Sequence, residues 1–196
     1  MSTGPEKTKQ TIHSCVCFNV SYYLILGNDM LVDDFTDMNL ISSIGFKWQG
    51  VSDKVMGGVS EANVSYTTIK GRSCLRLSGD VRLENNGGFI QAGLDLSYEG
   101  ETLNASRYTG VRILARGNGE AYTINLRTPD NVRVWQSYRS QFQVGSNWET
   151  IELPFTSFAP HRLDKGLDTS RLRRIGLIAI GSAFKADVAL GKIEFH

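Results

Sequence analysis

Trp48-Gln49-Gly50-Val51-Ser52-Asp53-Lys54-Val55-Met56-Gly57-Gly58-Val59-Ser60 is answered downstream by Asn85-Asn86-Gly87-Gly88-Phe89, and the reading of these two stretches decides the fold. Each joins a double glycine to small polar side chains and to large apolar ones. Adjacent glycines free the backbone for positive φ and let another chain segment or a ligand come close. Asp and Asn beside them hydrogen-bond nearby amides and hold turns. A segment this rich in glycine that still carries Trp48, Val55 and Met56 is not a floppy linker. It reads as an ordered loop packed on a β framework.

The framework extends outward from that loop. Residues 33–41 read as a first strand and turn, and residues 62–69 alternate in part up to the turn Lys70-Gly71. Residues 73–80 and 81–84 alternate cleanly, and residues 89–94 follow the tight connection at 85–88. Period-two patterning with apolar side chains on one face marks half-buried strands. Farther on, residues 110–117 and 121–127 flank Asn118-Gly119, a strong hairpin signal. Residues 132–142 read as one long strand, with Trp135 and Arg139 on one face and Val134, Tyr138 and Phe142 on the core face. Residues 148–153 form the next strand, and Asp168-Thr169-Ser170 caps a short helical turn through Arg174. Residues 175–181 are a buried central strand, residues 186–190 and 192–195 close the sheet, and Trp48 and Trp148 are expected inside. About nine or ten strands at this spacing define an all-β protein, a β-sandwich.

Composition agrees. Of 196 residues, 41% are apolar and 21% charged, the balance of a globular chain with a substantial core. Glycine, at 20 residues against 4 prolines, suits short strands and tight turns. A formal net charge of +1 gives no electrostatic case for nucleic acid or an anionic membrane. Cys15, Cys17 and Cys74 are an odd number without zinc spacing, and read as free thiols in a reducing compartment. His13, His161 and His196 sit in no metal or base motif. Residues 12–26 are apolar after a basic start, yet Asn19 and Ser21 interrupt them, no cleavage site follows, and they are too short to span a bilayer. Residues 1–29 therefore read as an N-terminal extension, either disordered or upstream of a true start at Met30, with residues 30–196 as a single β-sandwich.

The run Ser52-Asp53-Lys54-Val55-Met56-Gly57-Gly58-Val59-Ser60 followed by Asn85-Asn86-Gly87-Gly88-Phe89 resembles the complex I intermediate-associated protein family, whose members help assemble the respiratory NADH:ubiquinone oxidoreductase. Similar features continue through Gly117-x-Gly119-x-x-Tyr122, Ser137-Tyr138 with Phe142, Trp148 with Leu153-Pro154-Phe155, and Ile175-Gly176, so the resemblance covers residues 30–196. It implies a jelly-roll sandwich similar to galactose-binding domains, a fold also used by carbohydrate-binding modules. It implies protein partners as well: complex I subunits or assembly intermediates. Animal members carry a long mitochondrial leader, and residues 1–29 do not read as one. The chain is similar to a bacterial member, expected in the cytoplasm; a eukaryotic one would be mitochondrial.

Candidate contacts with a partner or ligand are Asp53, Val55, Met56, Gly57, Gly58, Asn85, Asn86, Gly87, Gly88, Arg127, Trp135 and Arg139. Each has a structural alternative: Asp53 fixes its loop by accepting backbone amides, and Asn85 and Asn86 hold a left-handed turn. Trp135 with Arg127, Arg133 and Arg139 makes an amphipathic patch of the kind that anchors protein interfaces, or a ring platform for a sugar face. Arg162, Lys165, Arg171, Arg173 and Arg174 form a basic cluster diluted by Asp164 and Asp168, by default a solvated surface. No nucleophile elbow, phosphate loop or dinucleotide fingerprint is present, so neither an enzyme nor a cofactor is expected. The reading is a non-catalytic protein-binding sandwich that assists complex I assembly; the alternative is a carbohydrate-binding module, with Asp53, Asn85, Asn86 and Trp135 as sugar contacts.

Overall fold

The computed structural model describes Met1, residues 29–37 and residues 39–196. The expectations placed on the N-terminal stretch, with His13, Cys15 and Cys17, lie outside the described residues. Twelve strands are present among them: β1 (Met30–Asp33), β2 (Gln49–Ser52), β3 (Asn63–Ile69), β4 (Arg72–Val81), β5 (Phe89–Asp95), β6 (Gly110–Gly117), β7 (Ala121–Arg127), β8 (Ser137–Gln143), β9 (Glu149–Pro154), β10 (Ala159–His161), β11 (Arg174–Ile180) and β12 (Phe184–Phe195). They form two six-stranded antiparallel sheets. One has the order β3-β4-β12-β6-β9, with β1 also on β12; the other runs β10-β8-β7-β11-β5-β2. The result is an all-β, jelly-roll-like sandwich.

Alternation builds the core between the sheets. Leu75 and Leu77 on β4, with Val111, Ile113 and Ala115 on β6, face Ile90, Ala92 and Leu94 on β5, Tyr122, Ile124 and Leu126 on β7, and Ile175, Leu177 and Ala179 on β11. The two short closing segments are one strand, β12, with a bulge at Gly191 where the register against β6 shifts between Leu190 and Lys192. One extra residue reverses side-chain parity. Val188 and Leu190 before the bulge, and Ile193 and Phe195 after it, therefore all point inward.

Three expectations are corrected. Asn118-Gly119 does turn the chain, but β6 and β7 belong to opposite sheets, so it is a crossing between layers and not a hairpin. Gly117 and Gly119 donate their amides to Gly145 and Val144, and the Asn118 side chain bonds the Lys185 carbonyl and the Tyr122 hydroxyl. Those tertiary partners replace the ladder a hairpin would have made. Second, only Ser137–Gln143 of the proposed long strand is a strand. Residues 128–136 fold into a loop in which Thr128 N–H donates to Asn131 Oδ1 and the Arg127 guanidinium donates to the carbonyls of Asn131 and Arg133. Val134, expected inside, is 70% exposed, whereas Tyr138 and Phe142 are in the core. Third, Trp148, expected inside, is only half-buried.

Asp33, at the end of β1, is buried and ties three segments together. It accepts the Trp48 indole N–H (2.7 Å), the Tyr66 hydroxyl (2.6 Å) and the Phe35 amide (2.9 Å). Burial, and then the adjacent Asp33 carboxylate, push the Tyr66 phenol far above its ordinary value. Trp48→Phe takes one donor from this buried carboxylate and is expected to lower the unfolding free energy by about 1–3 kcal/mol. Urea denaturation checks it, with the exposed Val134→Ala as a control expected to stay within about 0.5 kcal/mol.

Candidate functional site

The Gly-Gly stretches meet around one carboxylate. After β2 the chain makes a single 3₁₀ turn, Asp53–Met56, capped by the Ser52 hydroxyl and left through Gly57 at φ +89°. Asp53 turns inward and is completely buried. Its Oδ1 accepts the Ser60 amide at 2.9 Å, and its Oδ2 accepts the Ser60 hydroxyl and the amide of Gly88. Ser60 Oγ in turn accepts the Arg82 amide, linking the loop to the end of β4. A Cβ on Gly58 would overlap the Asp53 carboxyl, and one on Gly87 would lie 2.5 Å from Oδ2. Glycine is required there for close approach, and Asp53 serves the loop from within, away from the surface. Asn85 takes the left-handed conformation (φ +58°) in the single turn Glu84–Asn86, and its side chain is exposed.

With Asp53 pulled inward, the next residues of the turn are forced outward. Val55 is 71% and Met56 47% exposed. With Leu83 and Gly87-Gly88 they form one side of a groove of about 800 Å³ on the outer face of the β10-β8-β7-β11-β5-β2 sheet. Val134 and Trp135, from the loop before β8, form the other side with His161 and Arg162. Trp135 is 48% exposed and shares the groove with Arg139, but from a loop and not from the strand face expected for it.

The floor is made of strand residues that alternation turns away from the core. Ladder pairing lines up Arg139 (β8), Asn125 (β7), Gly176 (β11) and Gly93 (β5) in one row across the sheet. A Cβ on Gly176 would overlap Asn125 Oδ1 and sit 2.7 Å from Gln91 Nε2, so the glycine makes room for two carboxamides on the floor. Asn125 is 5% exposed, and its Oδ1 has no hydrogen-bond partner. A buried acceptor without a donor is costly and marks a position a ligand group can complete.

Charge in the groove is one-sided. Its lining includes Arg127, Arg139, Arg162, Arg174 and His161, and no Asp or Glu. Arg174 is bound bidentately by Asp95, at 2.8 and 3.1 Å. Arg127 donates to carbonyls and Arg139 to the Ser137 hydroxyl. Burial, and then Arg174 and Arg173, hold the Arg127 guanidinium below its usual value; burial and Arg162 do the same to Arg139. Burial, Arg139 and Arg162 likewise depress the His161 imidazole. Elsewhere in the basic cluster charges are paired: Lys165 and Arg171 with Asp130, and Arg171 also with Asp168.

Of the sequence candidates, Val55, Met56, Gly87, Gly88, Arg127, Trp135 and Arg139 gather at the groove, whereas Asp53, Gly57, Gly58 and Asn85 are not part of its lining. Sequence reasoning missed Gln91, Asn125, His161 and the floor glycine Gly176. Gln91, Asn125 and Gly176 interrupt apolar runs, which outward-facing strand residues commonly do, and His161, at the end of β10, gave no signal. Among the described residues, no three His, Cys, Asp or Glu side chains are grouped to hold a metal ion, and no helix is long and apolar enough to cross a membrane.

In fold the sandwich resembles carbohydrate-binding modules. The family model described as complex I intermediate-associated protein 30 matches residues 34–193, and the chain belongs to that family. Among solved structures it is similar to a family 11 carbohydrate-binding module from Clostridium thermocellum in complex with a β-1,3-1,4-mixed-linked tetrasaccharide, at 18% identity and a TM-score of 0.63, covering 85% of this chain and 94% of that one. It is also similar to a family 30 carbohydrate-binding module (18% identity, TM-score 0.58, 84% and 86% covered) and to a family 29 module (10%, 0.51, 86% and 91%). At these identities the likeness is one of fold. No curated protein matches the chain by sequence.

Burial pushes the Asp53 carboxyl upward, but the bonds donated by the Ser60 hydroxyl and by the amides of Gly88, Ser60 and Phe89 outweigh it and hold the group below its ordinary value. A carboxyl depressed in the folded state stabilises fully above its unfolded pKa of about 4, and the contribution disappears as pH falls through the lower folded value. Asp53→Asn is therefore expected to cost about 2–4 kcal/mol at neutral pH, with the gap to the parent protein narrowing below about pH 4. Urea titrations of both proteins across that range check it.

Proposed function

We propose that the chain is a non-catalytic binding module whose groove holds an extended carbohydrate chain. The observation that carries this reading is the groove floor. The unpartnered Asn125 acceptor beside the Gln91 carboxamide and the Arg139 guanidinium offers acceptors and donors at the spacing of neighbouring strands. Sugar hydroxyls both donate and accept, so such a row suits them. Trp135 at the side supplies a planar apolar face. A site with apolar walls and a few convergent polar groups is the usual form of a ligand pocket. The similarity in fold to a module carrying a mixed-linked tetrasaccharide supports the same reading.

A second reading is assistance in assembling respiratory complex I, in keeping with the family's description. The exposed apolar side chains Val55, Met56, Leu83 and Val134 favour it. Methionine adapts to irregular partner surfaces, and Trp and Arg are frequent interface anchors. The two readings share the groove and differ in what fills it.

Trp135→Ala and Asn125→Ala are each expected to weaken retention on an oligosaccharide array by about tenfold, about 1.4 kcal/mol, with little change in melting temperature for Trp135→Ala. Affinity capture with the full chain is the complementary test. No glycan retained, together with complex I subunits recovered and then lost on Met56→Ala, would overturn the carbohydrate reading in favour of the second.

A further inference from the structure

We infer that the groove is built for an anionic carbohydrate, one bearing carboxylate or sulfate groups, in preference to a neutral glucan; this rests on the reading that the groove binds carbohydrate. The observation is the setting of two half-buried arginines at the groove. Arg76, Arg82, Arg112, Arg171 and Arg174 each contact an Asp or Glu. Arg127 and Arg139, both half-buried, have no carboxylate within salt-bridge distance among the described residues; no carboxylate lines the groove itself, although Asp95 shares an adjoining hollow with Arg127 and Glu120 another with Arg139. A guanidinium never releases its proton in a protein. Holding two of them part-buried without a counter-charge is unfavourable, and an anion from outside relieves it.

Their placement fits a ligand along the floor. Arg139 stands directly across the ladder from Asn125, and Arg127 directly across from Arg174 on the neighbouring strand. A sugar unit that donates a hydroxyl to Asn125 Oδ1 therefore brings its substituents within reach of guanidinium groups on β7 and β8. The planar fork of arginine matches a carboxylate or sulfate through paired, charge-assisted bonds. Arg162 and His161 at the side add positive potential. Burial and then Arg162 lower Arg139, and burial, Arg139 and Arg162 lower His161, in keeping with a groove lined by no carboxylate.

An acidic peptide would satisfy the same cations but would leave the Asn125 and Gln91 row with a poorer match than a ring carrying several hydroxyls. Calorimetry on the full chain tests this with four probes: an oligogalacturonate, a sulfated galactan oligosaccharide, a neutral mixed-linkage glucan tetrasaccharide and an oligoglutamate. One of the two acidic oligosaccharides is expected to bind about tenfold or more tighter than the neutral glucan, and which of them does so names the anionic group. That binding should weaken with added salt, and by about tenfold in Arg139→Gln. The exposed Arg162→Gln should weaken it less, without risk to the sheet. Neutral glucan bound as tightly, and indifferent to salt and to Arg139→Gln, would overturn the charge preference while leaving a carbohydrate site. Binding of none of the oligosaccharides would overturn the site reading itself. Oligoglutamate bound as tightly as the sugars would overturn the inference in favour of a protein ligand.

Discussion

The Asp53 carboxylate is buried where two glycine-rich segments cross, and the position of one wall of the groove depends on it. It collects donors from Ser60 on its own loop and from Gly88 on the other, 35 residues away in sequence. Bonds to a charged acceptor are stronger than neutral ones, and one left unmade in the interior is costly. The pair of loops is therefore locked as a unit. Gly58 and Gly87 pack against the carboxyl with no room for a side chain, so the lock is steric as well as electrostatic. Because Asp53 points in, Val55 and Met56 point out. The exposed apolar edge of the groove is a by-product of how the loop is fastened.

A second fastening, Asp33 with Trp48 and Tyr66, anchors the same loop at its other end. Between the two carboxylates β2 is held at the edge of its sheet, on β5. The sheet face that this loop overlooks mixes polar side chains with apolar ones such as Ile178 and Ile180, where the opposite face of the same strands is aliphatic. On β7, Tyr122, Ile124 and Leu126 enter the core while Asn125 and Arg127 line the groove. One strand thus carries both stability and recognition, and period-two geometry keeps the two functions on separate faces.

Much of this was legible in the sequence. Alternation marked most of the strands, the unbroken run after Arg174 marked the central one, and the double glycines beside Asp53 marked an ordered loop. Sheet membership was not legible. Residues 110–117 and 121–127 alternate in the same way whether they pair with one another or face each other across a core, so Asn118-Gly119 looked like a hairpin. Nor was the break before β8, because the pattern at 132–136 mimics a strand while the Arg127 guanidinium fastens it as a loop. Asn125 could not be singled out for a related reason. An outward polar residue on a strand is ordinary, and only the fold reveals that this one is buried beneath a groove without a partner.

The claim that the outer face of the β10-β8-β7-β11-β5-β2 sheet is a carbohydrate site is tested most directly by nitrogen-15 NMR titration of the full chain with the acidic and neutral oligosaccharides in turn. The account predicts shifts confined to Gly87, Gly88, the side-chain amides of Gln91 and Asn125, and the indole of Trp135. Shifts on the opposite sheet, around Arg76 and Asp187, or no shift with any sugar, would contradict it.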